Sequence, residues 1–210
     1  MYQNFEKIPE DKKKIIIDVC MEEFAKKGYE KASTNSIVKN AGIPKGTLFY
    51  YFGNKKKLYF YILDCAIDKF ITKFNQEDVK LSSDLFERLT QRGLVKLKIA
   101  SEEPLLYGVI YGSIINTPDN LKKEIYKKYS KLSTGNTRNI YEGIDTSKFK
   151  DGVELKKTVD LVVIFLEGFL NKYLDTFKNC ASTSESLNIV KKVGSEVQEY
   201  FEILKKGIYK

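Results

Sequence analysis

The stretch from Lys45 to Phe52, Lys-Gly-Thr-Leu-Phe-Tyr-Tyr-Phe, with Gly53, Asn54 and three lysines behind it, carries the residue types that can do chemistry here. The chemistry is recognition of a polyanion. Lys45 can reach a phosphate or a guanine edge. Gly46 and Thr47 are small enough to let backbone come close to a nucleic acid. Tyr50 and Tyr51 have flat faces for thymine methyls or sugars, and hydroxyls that can donate to phosphate. Lys55 falls in the first turn of the next helix, where free backbone amides favour an anion. Thr34, with Asn35 beside it, holds the equivalent place on the preceding helix. The bland alternative is a set of solvated lysines over core aromatics. Phe52 reads as core, and Phe49 fits either role.

These residues need elements to position them. Low proline content and abundant Lys, Glu, Leu and Ile predict an all-α fold. A first helix is expected over 9–27, with Pro9 in its first turn, a buried stripe of Ile16, Val19, Cys20 and Phe24, and Gly28 as its stop. Ser33 or Thr34 caps a two-turn helix that ends at Gly42, and Pro44 opens another that ends at Gly53. Two short helices joined around one glycine, with Ile37, Val38, Ala41, Ile43 and Leu48 facing inward, make a helix-turn-helix. Asn54 caps a further helix to about Phe74. Helices then follow over 79–100, 102–116, 118–141, 153–179 and 185–206.

The totals set bounds. The chain has 210 residues and a formal charge of +8, unevenly placed: +5 on residues 1–57 and +3 on 58–210. A basic N-terminal segment suits a polyanion partner. With no histidine, a Ser-His-Asp triad and a His-ligated zinc are excluded. Carboxylate pairs such as Asp64 and Asp68, four apart on one helix, could look like an acid/base or metal pair, but with no nearby histidine and no second paired carboxylate motif at similar spacing no catalytic residue, metal or cofactor is expected. Cys20, Cys65 and Cys180 lack metal or disulfide spacing and read as reduced core residues. No apolar run is long enough to span a bilayer, and a soluble cytoplasmic protein is expected.

Residues 10–57 resemble the DNA-binding domain of Tet-repressor-family (TetR) transcriptional regulators. The resemblance is carried by I-x-x-V-C-x-x-x-F-x-x-x-G-Y at 16–29, Thr34, I-V-x-x-A-G-I at 37–43, K-G-T-L-F-Y-Y-F at 45–52 and N-K-x-x-L at 54–58. It implies that Thr34 and Lys55 hold phosphates and that Lys45, Gly46, Thr47 and Tyr50 belong to the recognition helix. Phe49 stands where the family usually has tyrosine, Tyr51 where histidine is frequent, and Pro44 where serine is usual. These departures bear on base preference.

The resemblance further implies two domains, a helix-turn-helix domain over 1–54 and a helical ligand-binding and dimerisation domain over 55–210. An effector cavity is implied in the second, with Phe70, Phe74, Phe86, Leu89, Tyr107, Ile110, Tyr111, Ile114 and Phe165 as lining candidates. Their apolar character points to a hydrophobic or amphipathic small molecule. Glu167 could meet a cationic one. Leu155, Val159, Val162, Leu166, Phe169 and Tyr173 on one terminal helix, and Val190, Val193, Val197, Phe201 and Leu204 on the other, form either an intrachain hairpin or, as the family implies, a two-fold bundle in a homodimer. A palindromic double-stranded operator then follows from that symmetry. The expected function is a ligand-responsive repressor, with the helix over 54–74 as the lever. A basic helical module that binds nucleic acid or anionic lipid without sequence choice is the alternative binding mode.

Overall fold

The computed structural model of the chain describes residues 2–77, 79–115, 117–173 and 183–210; the side chains at 115, 130–140, 167, 170, 171, 183–188, 190 and 191 fall outside the description. Cys180, Leu132, Glu167 and Val190 therefore lie outside the described side chains. Among the described residues, ten α-helices follow one another: α1 (Gln3–Glu6), α2 (Glu10–Lys31), α3 (Thr34–Ala41), α4 (Lys45–Phe52), α5 (Lys55–Gln76), α6 (Leu85–Glu102), α7 (Pro104–Ile115), α8 (Asp119–Tyr141), α9 (Leu155–Asn171) and α10 (Thr183–Ile208). The all-α expectation holds.

The chain divides into two compact units. One comprises Met1–Thr72 and Glu103–Leu132, the other Lys73–Glu102 and Ser133–Lys210.

In the first unit, Pro9 precedes α2 as its cap residue, and Glu10 and Asp11 occupy the first turn, where the helix dipole favours acid. Gly28 does not stop this helix. Its φ of 67° and ψ of −178° kink the chain, and one further short segment carries α2 to Lys31. That backbone conformation is open essentially to glycine alone. Ser33 caps α3, its hydroxyl accepting from the Ser36 amide at 3.3 Å. Gly42, with φ of 64°, takes the left-handed turn after α3, and its neighbour's Ile43 amide closes on the Val38 carbonyl at 3.1 Å. Asn54 caps α5 by accepting from the Lys57 amide at 2.9 Å. Ile16, Cys20 and Phe24 from α2, Ile37 from α3, Leu48 and Phe52 from α4, and Leu58, Ile62 and Leu63 from α5 are buried. α7 crosses α2 where both are small: a Cβ on Gly108 would stand 3.1 Å from the Ala25 Cβ.

The second unit is built from α6, α9 and α10. Asp84 caps α6 by accepting from the Phe86 and Glu87 amides at 3.0 and 3.2 Å, and Lys148 pairs with its other oxygen at 3.1 Å. Its core holds Leu85, Phe86, Leu89, Val159, Val162, Leu166, Phe169, Tyr173, Val193, Val197 and Phe201. Most of the residues expected to face a second subunit are thus the chain's own core. Leu155 and Leu204 pack half-buried against it. Helical spacing finds the face a helix buries without saying what covers it, so the intrachain reading takes these positions. Among the described residues, the large apolar side chains left exposed on the same two helices are Leu161 (52%), Ile164 (68%), Tyr200 (41%) and Ile203 (66%).

Candidate nucleic-acid interface

The site is organised from the end of α2. Glu23 lies there with only 7% of its surface exposed. One carboxylate oxygen accepts from the Ser33 amide at 2.7 Å and from the Lys27 ammonium at 2.9 Å; the other accepts from the Ser36 hydroxyl at 3.2 Å. Burial alone would raise the carboxyl pKa, but these donors and the Lys27 charge together hold it below its ordinary value. An ionised side chain of α2 is thereby bonded to the start of α3. With the Ser33 and Ser36 amides occupied, Thr34 (half-buried) and Asn35 (exposed) supply the remaining first-turn amides of α3. Sequence reasoning passed over Glu23, because a glutamate on an amphipathic helix reads as surface.

The second short helix sorts its side chains by face. Leu48 and Phe52, one turn apart, are 1% and 2% exposed and seal the inner face. Lys45 and Gly46 are exposed, Thr47 and Phe49 half-buried. Tyr50 is 67% exposed, on the opposite face from Leu48 and Phe52. Tyr51 is turned inward, its ring 5.5 Å from Phe5. A Cβ placed on Gly46 would meet nothing within 4 Å. Nothing inside this chain requires glycine there, although glycine weakens a helix by about 1 kcal/mol relative to alanine.

Lys55 opens α5. Its ammonium donates to the Glu30 carbonyl at 2.9 Å and sits 5.0 Å from the centre of the Tyr29 ring. Burial lowers its pKa, against the pull of the Glu30 and Glu23 carboxylates. The kinked segment after Gly28 thus holds the start of α5 as Glu23 holds the start of α3. Lys56 pairs with Glu124 at 2.6 Å.

The remaining candidates fall in both units. Phe70, Tyr107, Ile110, Tyr111 and Ile114 belong to the first; Tyr107 and Tyr111 stack 6.0 Å apart, and Ile114 is 56% exposed. The Ile110 carbonyl accepts from the Ser113 and Tyr129 hydroxyls, each at 2.6 Å. Phe74, Phe86, Leu89 and Phe165 belong to the second unit. Arg92 lies 4.9 Å from the centre of the Phe74 ring, and Phe86 packs on Phe201 at 5.0 Å. Leu89 also lines a small apolar cleft with Leu94, Leu97, Leu166, Val193 and Val197. Asp64 accepts from Lys128, and Asp68 is exposed, so the carboxylate pair is not brought together around one point. Burial pushes the Cys20 thiol up to about 12 and the Cys65 thiol up to about 11, as suits packed thiols. No helix among the described residues is long and apolar enough to cross a membrane.

Comparison with known proteins bears on this geometry. The family profile for bacterial regulatory proteins of the tetR family matches residues 16–62. The chain is 28% identical over 159 residues to the biofilm operon icaADBC HTH-type negative transcriptional regulator IcaR of Staphylococcus aureus, covering 75% of this chain and 81% of that one. It is 29% identical over 150 residues to the fatty acid metabolism regulator protein of Bacillus subtilis, covering 67% and 72%. A TetR family transcriptional regulator from Chloroflexus aurantiacus shares the fold with a TM-score of 0.69 at 21% identity, over 99% of this chain and 98% of that one. FadR of Bacillus subtilis in complex with stearoyl-CoA does so with a TM-score of 0.58 at 21% identity, over 87% and 97%.

Glu23→Gln should destabilise the protein at neutral pH by about 1–3 kcal/mol, since a neutral amide cannot serve three donors at once. The folded carboxyl titrates below the ordinary value of 4.5, so its contribution is complete above that pH and is lost as pH falls through the folded value. Chemical denaturation of both proteins across pH checks this: the gap is expected at pH 7 and should close in acid. Equal stabilities at pH 7 would refute it.

Proposed function

We propose, for a chain that belongs to the tetR family of bacterial regulatory proteins, that it is a dimeric transcriptional repressor released from a palindromic operator by an apolar or amphipathic small molecule. The observation that carries the reading is the outer face of α4: Lys45, Gly46 and Tyr50 stand exposed on a helix whose inner face is sealed by Leu48 and Phe52. Such a helix fits a major groove, with its first residues toward the bases. Thr34 and Asn35 at the start of α3, and Lys55 at the start of α5, would take backbone phosphates on either side. Thr47, Phe49 and Tyr51 would contribute at the edge of the contact, Tyr51 least because its ring is turned onto Phe5. The DNA-binding domain would comprise residues 1–54, and the protein would act in the cytoplasm.

The names of the relatives support the regulatory reading. IcaR is a negative regulator, which favours repression here, and the stearoyl-CoA bound to FadR favours an amphipathic effector. Phe70, Tyr107, Ile110 and Tyr111, all of the first unit, remain the preferred effector contacts. The effector acts by binding one arrangement of the two recognition helices better than the other, and it shifts the equilibrium only by that difference. α5, which contributes residues to both units, is the natural link.

The subunit contact is assigned to the exposed apolar residues of α9 and α10 rather than to their buried stripes. Leu161 and Ile164 lie three apart on α9, as do Tyr200 and Ile203 on α10, and each pair is followed four residues later by a glycine, Gly168 or Gly207, with open space around it. The Tyr200 ring is 5.5 Å from Phe165, so the two helices adjoin at this height. Pairing this face with its copy would make a four-helix contact, with the two-fold axis that a palindrome mirrors.

Operator binding should weaken steeply with salt. Lys45→Ala and Tyr50→Ala should each reduce affinity about tenfold or more with helicity unchanged. Gly46→Ala should also weaken DNA binding while raising stability by about 1 kcal/mol. Gel-shift and denaturation measurements on the three variants check the set, and wild-type affinity in all three would exclude α4 as the reading helix. The double variant Ile164→Asp, Ile203→Asp should be a folded monomer by light scattering, whereas an intact dimer would place the contact elsewhere.

A further inference from the structure

We propose that α1 is a positioning element for the DNA-reading helix and that Phe5 is its positioning residue. The inference rests on the reading of α4 given above. α1 lies outside the 16–62 span matched by the family profile. A helix of four residues cannot hold itself together in water. It is held here from both ends. The Tyr2 hydroxyl donates to the Lys57 carbonyl at 3.1 Å, and the Tyr61 hydroxyl donates to the Glu6 carboxylate at 2.8 Å.

Between these anchors Phe5 is wholly buried. Its ring centre lies 4.6 Å from Phe52, 5.3 Å from Tyr61 and 5.5 Å from Tyr51. Tyr2 adds contacts of 5.8 Å to Phe52 and 4.8 Å to Tyr61. Tyr51 in turn lies 5.8 Å from the exposed ring of Tyr50. A continuous line of rings therefore runs from Phe5 through Tyr51 to Tyr50, and α1 fills the space behind the last turn of α4. Tilted aromatic contacts of this kind have a preferred geometry, so they fix orientation as well as burying area.

The consequence is selective. Base contacts require side chains held to within about 0.5 Å. Flexible lysines tolerate far more displacement at a phosphate, and phosphate contacts carry no sequence information. Loss of the brace should erode sequence preference more than general DNA affinity.

The test uses the full chain. A duplex recovered by the wild-type protein from a random-sequence library is compared with random duplex at one salt concentration. Phe5→Ala should lower the ratio of the two affinities about tenfold or more while random-duplex binding and its salt slope are kept. Phe5→Leu should restore most of the ratio. Tyr2→Phe, which keeps the ring and removes only the bond to Lys57, should lower it a few-fold, and it keeps the test decisive if Phe5→Ala fails to fold. An unmoved ratio in these variants, or specific and random affinities falling together, overturns the proposal. A wild-type protein that recovers no preferred duplex overturns the DNA-reading of α4, and the brace with it.

Discussion

A buried, ionised carboxylate can persist in a protein only where donors surround it, and the first unit of this chain is arranged around one. Glu23 leaves water to accept from the Ser33 amide, the Ser36 hydroxyl and Lys27. Two of those donors belong to the first turn of α3, so the charge on α2 sets where α3 begins. The turn at Gly42 is too tight to absorb much error, and α4 follows where α3 puts it. The kink at Gly28 completes the arrangement by bringing the Glu30 carbonyl to the Lys55 ammonium. Both helix starts that would face DNA phosphates are thus fastened to one end of α2.

Much of this was legible in the sequence. Short helices bounded by Ser33, Gly42, Pro44 and Gly53 announce themselves through residues whose backbone preferences are strong, and the structure ends α3 and α4 at those marks. Gly28 was legible as a break, yet glycine kinks a helix as readily as it ends one, and the chain continues to Lys31. What could not be read were contacts whose partner has no side-chain signature. Lys55 bonds to a backbone carbonyl, and Glu23 bonds partly to a backbone amide ten residues away. α1 is barely one helical turn, too short for a periodic pattern to repeat, so Tyr2 and Phe5 gave no helical signal, although two aromatics three apart before a proline are the trace it leaves.

The terminal helices teach the complementary lesson. Val159, Val162 and Phe169 on α9, and Val193, Val197 and Phe201 on α10, form the more apolar stripes, and the chain consumes them in its own core. A second, weaker set stays in solvent at Leu161, Ile164, Tyr200 and Ile203. Periodicity ranks faces by apolar strength, and in a helix with two apolar faces the stronger one is spent first within the chain. The exposed remainder is the better guide to what a second copy would cover.

The central claim is that Glu23 is charged and bonded to the start of α3 in the folded protein. Carbon-13 NMR of the glutamate side-chain carboxyls through an acid titration tests it directly. The account predicts that Glu23 titrates below the ordinary glutamate value of 4.5, and that the Ser33 amide resonance shifts at the same midpoint. A Glu23 carboxyl that titrates at or above that value, with Ser33 unmoved, would contradict it.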